Sequence, residues 1–264
     1  MIDVHCHLNF HAFEKDYDEV IKSAFKAGVT KIINVGTKID SSFRAVEMAQ
    51  KYPQLYAIVG VHPHHADKLE AGWELELEKL AKNPKVVAIG EIGIDYFRYK
   101  SNSIVDPKLQ KETFIKQIIL ANKLKLPLQI HNRLAGKDIL DILENHKPYL
   151  LNPPGMFHCM SGDLDSLKKV LDLGFYIGFD GNITYSGLAP GETVELKELV
   201  SYAPLDRIVT ETDSPFLTPE PMRGVKNRPE YVIIIGEFIS KLRGINFDKL
   251  RNQTTKNVKK IFSI

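Results

Sequence analysis

Nine histidines lie within 264 residues, and several stand where a divalent cation could use them. His5 and His7 are two apart in MIDVHCH. On a β-strand, residues i and i+2 share a face, so both rings can reach one ion while Cys6 turns to the opposite layer. A second such pair, His62 and His64, brackets Pro63, which argues against a regular strand; His62 ranks as a supporting residue and His64 lower. Glu91 falls in VVAIGEI, His131 ends LQIH, His158 closes GMFH, and Asp213 follows RIVTET. Imidazole with carboxylate suits zinc, manganese or another first-row cation, and magnesium if more water is retained. Taken singly, each residue has an ordinary explanation as a hydrogen-bonded histidine or a helix-capping acid. Their recurrence at the ends of separate apolar runs is what points to a metal centre.

Those ends meet only if the runs are parallel strands with their C-termini together. The expected strands are Ile2–His5, Lys31–Val35, Leu55–Val61, Val86–Ile92, Leu128–His131, Met156–His158, Phe175–Gly178 and Arg207–Thr210. Amphipathic stretches alternate with them: Tyr17–Ala27, Ser41–Lys51, Trp73–Ala81, Pro107–Leu124, Lys137–Asn145, Asp163–Leu173, Val194–Tyr202, Pro229–Arg243 and Asp248–Phe262. Pro107 and Pro229 suit first helical turns, and Gly28 and Gly174 suit the residue just past a helix end. The sixth strand has the least support, because LNPPGMFHC carries two prolines. Eight β-then-α units of near-continuously apolar strands predict an α/β fold, a single (β/α)₈ TIM-type barrel domain over residues 1–264. Its metal site would lie at the C-terminal mouth. An open doubly wound sheet is the alternative.

Composition narrows the class further. The chain is 44% apolar and 26% charged with a formal charge of +2, which excludes a uniformly basic nucleic-acid coat but leaves room for a basic rim. Cys6 and Cys159 are each flanked by histidine and form no CxxC pair, so a disulfide framework is not expected. The opening MIDVHCHLNF has no secretory pattern, and no run approaches the roughly 20 apolar residues of a membrane span. A cytoplasmic protein without membrane contact is expected.

The segments MIDVHCH, VGVHPH, IGEIGIDYFR, IHNR, FHCMSG and ETDSPFLTPEPMRGVKNRPEYV occur in that order across essentially the whole chain. Together they resemble the TatD family of metal-dependent deoxyribonucleases, part of the amidohydrolase-like barrel group. The resemblance implies two divalent cations per chain (Zn, Mg or Mn). His5, His7, Glu91 and Asp213 would hold the first; Glu91, His131 and His158 would hold the second, with Glu91 bridging. Two departures stand out. Asn132-Arg133-Leu134-Ala135 replaces the family's Ser-Arg-Asp/Glu-Ala, and Met160 replaces an aromatic residue.

The expected reaction is hydrolysis of DNA phosphodiester bonds through a metal-bound hydroxide, from the 3′ end of single strands or frayed ends. Glu91 and Asp213 would be catalytic, with Asp213 orienting the water or taking its proton. His62 would donate to the scissile phosphate or serve as an accessory ligand. His62, Arg133, Arg223 and Arg228 are the expected substrate contacts, supported by Arg98 and Lys226. Tyr96, Phe97 and Tyr99 are available to stack on unpaired bases. No obligate protein partner is inferred. The same ligands would equally serve an amide, ester or lactone hydrolase, and the arginines after the eighth strand favour phosphate. A binding protein with incidental histidines would purify without tightly held cations.

Overall fold

The structure, a computed structural model, describes residues 1–99, 103–189 and 191–264. Eight parallel strands follow sequence order around one sheet: β1 (Ile2–Cys6), β2 (Lys31–Val35), β3 (Leu55–Val59), β4 (Val86–Asp95), β5 (Leu128–Arg133), β6 (Gly155–Phe157), β7 (Tyr176–Phe179) and β8 (Ile208–Thr210). The seam between β8 and β1 closes just past the end of β8. His7 N donates to Ser214 O at 2.8 Å and Asp213 N to His5 O at 2.9 Å. Asp3 pins the seam from below, accepting Thr212 N at 2.9 Å and Thr212 Oγ1 at 2.7 Å. The result is a nearly closed (β/α)₈ barrel of TIM type. A doubly wound sheet would need a reversal of strand order, and there is none among the described residues.

The helices are α1 (Tyr17–Ala27), α2 (Ile39–Lys51), α3 (Trp73–Ala81), α4 (Pro107–Leu124), α5 (Gly136–Asn145), α6 (Leu164–Asp172), α7 (Leu196–Tyr202), α8 (Val232–Leu242) and α9 (Phe247–Phe262). Capping follows the sequence signals. Asp106 accepts from Lys108 N at 2.9 Å ahead of Pro107, and Gly28 and Gly174 are left-handed. Alternation along each strand divides the apolar residues between two cores. One packs sheet against helices, with Ile32, Ala57, Val59, Ile92 and Ile130 among its members. The other joins Ile33, Val35, Ile58, Ala88 and Val209 to Val258, Ile261 and Phe262 of α9. The last helix therefore closes one end of the barrel interior and leaves the other end for polar residues.

Several boundaries differ from expectation. β4 runs on to Asp95, three residues past Ile92, and this extension reaches the mouth. The sixth strand is Gly155–Phe157, set one residue earlier than expected, and Leu128 N bonds the carbonyl of Pro154 at 2.8 Å. The stretch expected as one helix from Pro229 splits into a 3₁₀ turn, Pro229–Tyr231, followed by α8.

Candidate metal centre

At the mouth, β1 presents both of its histidines. His5 Nε2 and His7 Nε2 stand 3.0 Å apart. Glu91 Oε2 lies 3.7 Å from the first and 3.9 Å from the second; Asp213 Oδ1 lies 3.6 and 3.3 Å away. Ligands placed tetrahedrally around a zinc-like cation are about 3.3 Å from one another. His5, His7 and Asp213 thus have the mutual spacing of a coordination shell, and Glu91 Oε2 comes within 3.9 Å of both rings. His7 Nδ1 donates to Val35 O at 2.9 Å, which leaves its Nε2 lone pair for the cluster. His5 is buried, and its Nδ1 has no hydrogen-bond partner among the described residues. The donor set and geometry fit a divalent cation.

The other oxygen of Glu91 faces a different group. Oε1 lies 2.6 Å from His131 Nδ1 on β5, 3.7 Å from His62 Nε2, and 3.8 Å from His158 Nε2 just after β6. His5 and His158 stack face to face with centroids 3.6 Å apart. The expected histidine ligands therefore converge on one carboxylate, with Asp213 joined to them through His5 and His7. Glu91 can be so central because β4 shifts its pairing with β5 between Ile89 and Ile92.

Electrostatics match this crowding. Burial opposes ionisation of Glu91, but His62 and His131 outweigh it and hold its carboxyl well below the usual carboxylate range. Burial lowers His5 well below its ordinary value, aided by repulsion from His158. Burial also lowers His62, with His131 adding to the effect. His131 and His158 go the other way despite burial. Glu91 and Asp95 push His131 to about 9, and Glu211 pushes His158 to about 10. In the metal-free protein these two rings thus carry protons that a cation would displace.

Two acids in this network escaped sequence reasoning. Asp95 Oδ2 lies 3.1 Å from His131 Nε2 and 3.0 Å from His64 Nε2. Glu211 Oε2 lies 3.0 Å from His158 Nδ1, and its Oε1 accepts Cys159 N at 2.6 Å. Glu211/Asp213 repeats the i, i+2 spacing of His5/His7, and Asp95 lies four residues past Glu91, signals that were available in the sequence. His64, ranked low because of Pro63, lines the cavity beside His62. Cys159, expected as a small apolar residue beneath the ligands, instead lines the cavity wall, 3.2 Å from Asn182 Nδ2.

The centre opens into a cavity of about 470 Å³ walled by Phe10, Tyr99, Arg133, Leu134 and Phe216, among others. Arg133 sits over Phe97 at 4.4 Å and Tyr99 at 5.9 Å. The other expected substrate arginines are placed elsewhere. Arg223 covers the ring of Tyr185 at 3.9 Å. Arg228 faces Asp16 and Glu230, each at 3.9 Å, and Lys226 bonds Asp16 at 3.0 Å. Nearby acids thus engage Arg228 and Lys226, and neither they nor Arg223 line the cavity. Arg98 is exposed and also absent from the lining, while Tyr96 turns outward to bond Asp138 at 2.6 Å.

The family profile described as TatD related DNase matches residues 2–263. The chain belongs to the TatD family. It is a metal-dependent hydrolase of that family. Among its relatives, a Bacillus subtilis protein named "Uncharacterized metal-dependent hydrolase YabD" is 37% identical over 100% of this chain and 99% of its own. An Escherichia fergusonii protein named "3'-5' ssDNA/RNA exonuclease TatD" is 33% identical, again over 100% and 99%. The crystal structure of YJJV, a TatD homologue from Escherichia coli K12, superposes with a TM-score of 0.89 at 30% identity, covering 100% of this chain and 98% of that one. No helix among the described residues is long and apolar enough to cross a membrane.

Proposed function

We propose that this TatD-family hydrolase is a nuclease that shortens DNA from the 3′ end of single strands or frayed ends, using two divalent cations. The barrel over residues 1–264 would act as one catalytic domain in the cytoplasm. The observation that carries the reading is Glu91, whose two oxygens face two different groups of histidines. His5, His7, Glu91 and Asp213 would hold one cation; Glu91, His131 and His158 would hold the other, with His62 close by. Zinc or manganese suits the donors best, and magnesium would need added water. Bound there, the pair supplies Lewis acidity and neutralises charge on the phosphoryl oxygens.

The chain's own residues do the remainder. Asp213 is 14% exposed at its side chain, so it touches the cavity and can orient a water or take its proton. His62, held neutral by burial and His131, can position a phosphate oxygen from the opposite side. Arg133 is the one expected arginine that lines the cavity, and its guanidinium can pair with a further phosphate. The E. fergusonii relative's name agrees with this substrate.

A second reading, a hydrolase of amides, esters or lactones, draws on the apolar wall of Phe10, Leu134, Phe216 and Leu217. One experiment separates them. A 5′-labelled single-stranded oligonucleotide is incubated with metal-stripped protein, then with Mg²⁺, Mn²⁺ or Zn²⁺, beside a Glu91→Ala variant. Metal-dependent shortening that the variant lacks is the expected result. Absence of cleavage by cation-loaded protein would overturn the nuclease reading and favour a carbonyl substrate.

A further inference from the structure

Asp95 ends β4 on the same strand face as Glu91, four residues away, with Gly93 between them. Gly93 pairs with His131 and has a φ of +149°. A Cβ there would lie 1.9 Å from His131 O, so only glycine lets β5 come this close. The side chain of Asp95 is fully buried, and its backbone is clamped at both ends by Gln110, which donates to its carbonyl at 3.1 Å and accepts its N–H at 2.8 Å. Its Oδ1 accepts Phe97 N at 2.8 Å. Its Oδ2 receives Tyr99 Oη at 3.2 Å and His131 Nε2 at 3.1 Å, and lies 3.0 Å from His64 Nε2. Every neighbour of this carboxylate is a donor.

From this arrangement we infer that Asp95 is a positioning residue that fixes which nitrogen of His131 keeps its proton. By accepting Nε2–H it reserves Nδ1, the atom 2.6 Å from Glu91 Oε1, for a cation. The hydrogen bond also stops rotation of the ring about its bond to the backbone-side carbon. Gln110 holds the backbone of Asp95, and Phe97 N and Tyr99 Oη brace its carboxylate, so the ring's orientation is set by a clamped strand end. The inference rests on the two-cation reading of the site, but not on the substrate being DNA.

Asp95→Asn tests this sharply because the amide has no good orientation. Its NH₂ must face either Phe97 N–H or the three donors at Oδ2, and in both cases two donors oppose each other. Metal-stripped wild type, Asp95→Asn, Asp95→Ala and Asp95→Glu would be titrated with Zn²⁺ by calorimetry, with circular dichroism to verify folding. The second equivalent should bind about 10–100-fold more weakly in the Asn and Ala variants. The first should change by less than about 2-fold, since the cluster around His5 and His7 does not touch Asp95, and Asp95→Glu should restore part of the loss. Nitrogen NMR of ¹⁵N-histidine-labelled, zinc-loaded protein should show Nε2 of His131 protonated in wild type and a changed pattern in Asp95→Asn. Unchanged second-site affinity and an unchanged His131 spectrum in the folded Asn variant would overturn the inference. A wild type that takes up only one equivalent would sink the two-cation reading instead, and the His131 spectrum would then decide the role of Asp95 alone.

Discussion

The two oxygens of Glu91 are not equivalent: Oε2 faces His5 at 3.7 Å, and Oε1 meets His131 at 2.6 Å. Replacing one of them with an amide therefore harms one side of the centre whichever way the side chain turns. Glu91→Gln should fold normally, lose at least one equivalent of bound cation, and lose turnover by more than the roughly 10–100-fold that removal of an outer partner costs. Metal analysis beside kinetics checks this, and full cation content with full turnover would exclude Glu91 as a shared ligand. Protons provide a second readout at this scale. His131 and His158 lie at about 9 and 10 without metal, so at pH 7.5 both should shed protons if a cation takes them as ligands. Calorimetry in buffers of different ionisation heat should show close to two protons released with the cation that takes these rings. Release of none would mean that they are not ligands.

At the scale of elements, the mouth depends on how the end of β4 pairs with β5, and Gly93, where a Cβ would meet the His131 carbonyl, is the position that permits it. Gly93→Ala forces a Cβ against the His131 carbonyl and strains a left-handed backbone, two effects that should together cost about 2–5 kcal/mol. Thermal or denaturant unfolding measures the loss, and a stability within about 0.5 kcal/mol of wild type would show that β5 can retreat without penalty. The same two strands show what could be read in advance. Alternation and strand-end histidines sufficed for the barrel and for the cluster around Glu91, because both are written in local periodicity. The reach of β4 to Asp95 was not, since Gly93 and Asp95 lower the strand propensity of a segment that pairing with β5 nonetheless holds extended. Arg228 does not line the cavity, for a different reason. Its charge suggested a phosphate, but Asp16 and Glu230 compete for it across the fold, and nothing near it in the sequence signals Asp16. Proximity between distant surface charges leaves no periodic trace.

For the molecule as a whole, the barrel has an apolar half closed by α9 and a polar half crowded with imidazoles and carboxylates. That second half makes metal-free stability depend on pH in two directions. His131 and His158 have folded values raised above the ordinary 6.5, so their contribution is complete below about pH 6.5 and is lost as pH rises through about 9 and 10. His5 and His62 have lowered folded values, so below about pH 6.5 the unfolded chain takes up protons that the folded one refuses, and their contribution falls with acid. The metal-free melting temperature should therefore decline as pH rises from about 7 towards 10. If cations take His131 and His158 as proposed, they replace these protons, and the loaded protein should not share the alkaline decline. The gain in melting temperature on adding Zn²⁺ should accordingly widen from pH 6.5 to 9. Differential scanning calorimetry of stripped and loaded protein across that range measures it directly. Parallel curves would mean that the protons and the cations occupy different places, and the ligand set proposed around Glu91 would have to be redrawn.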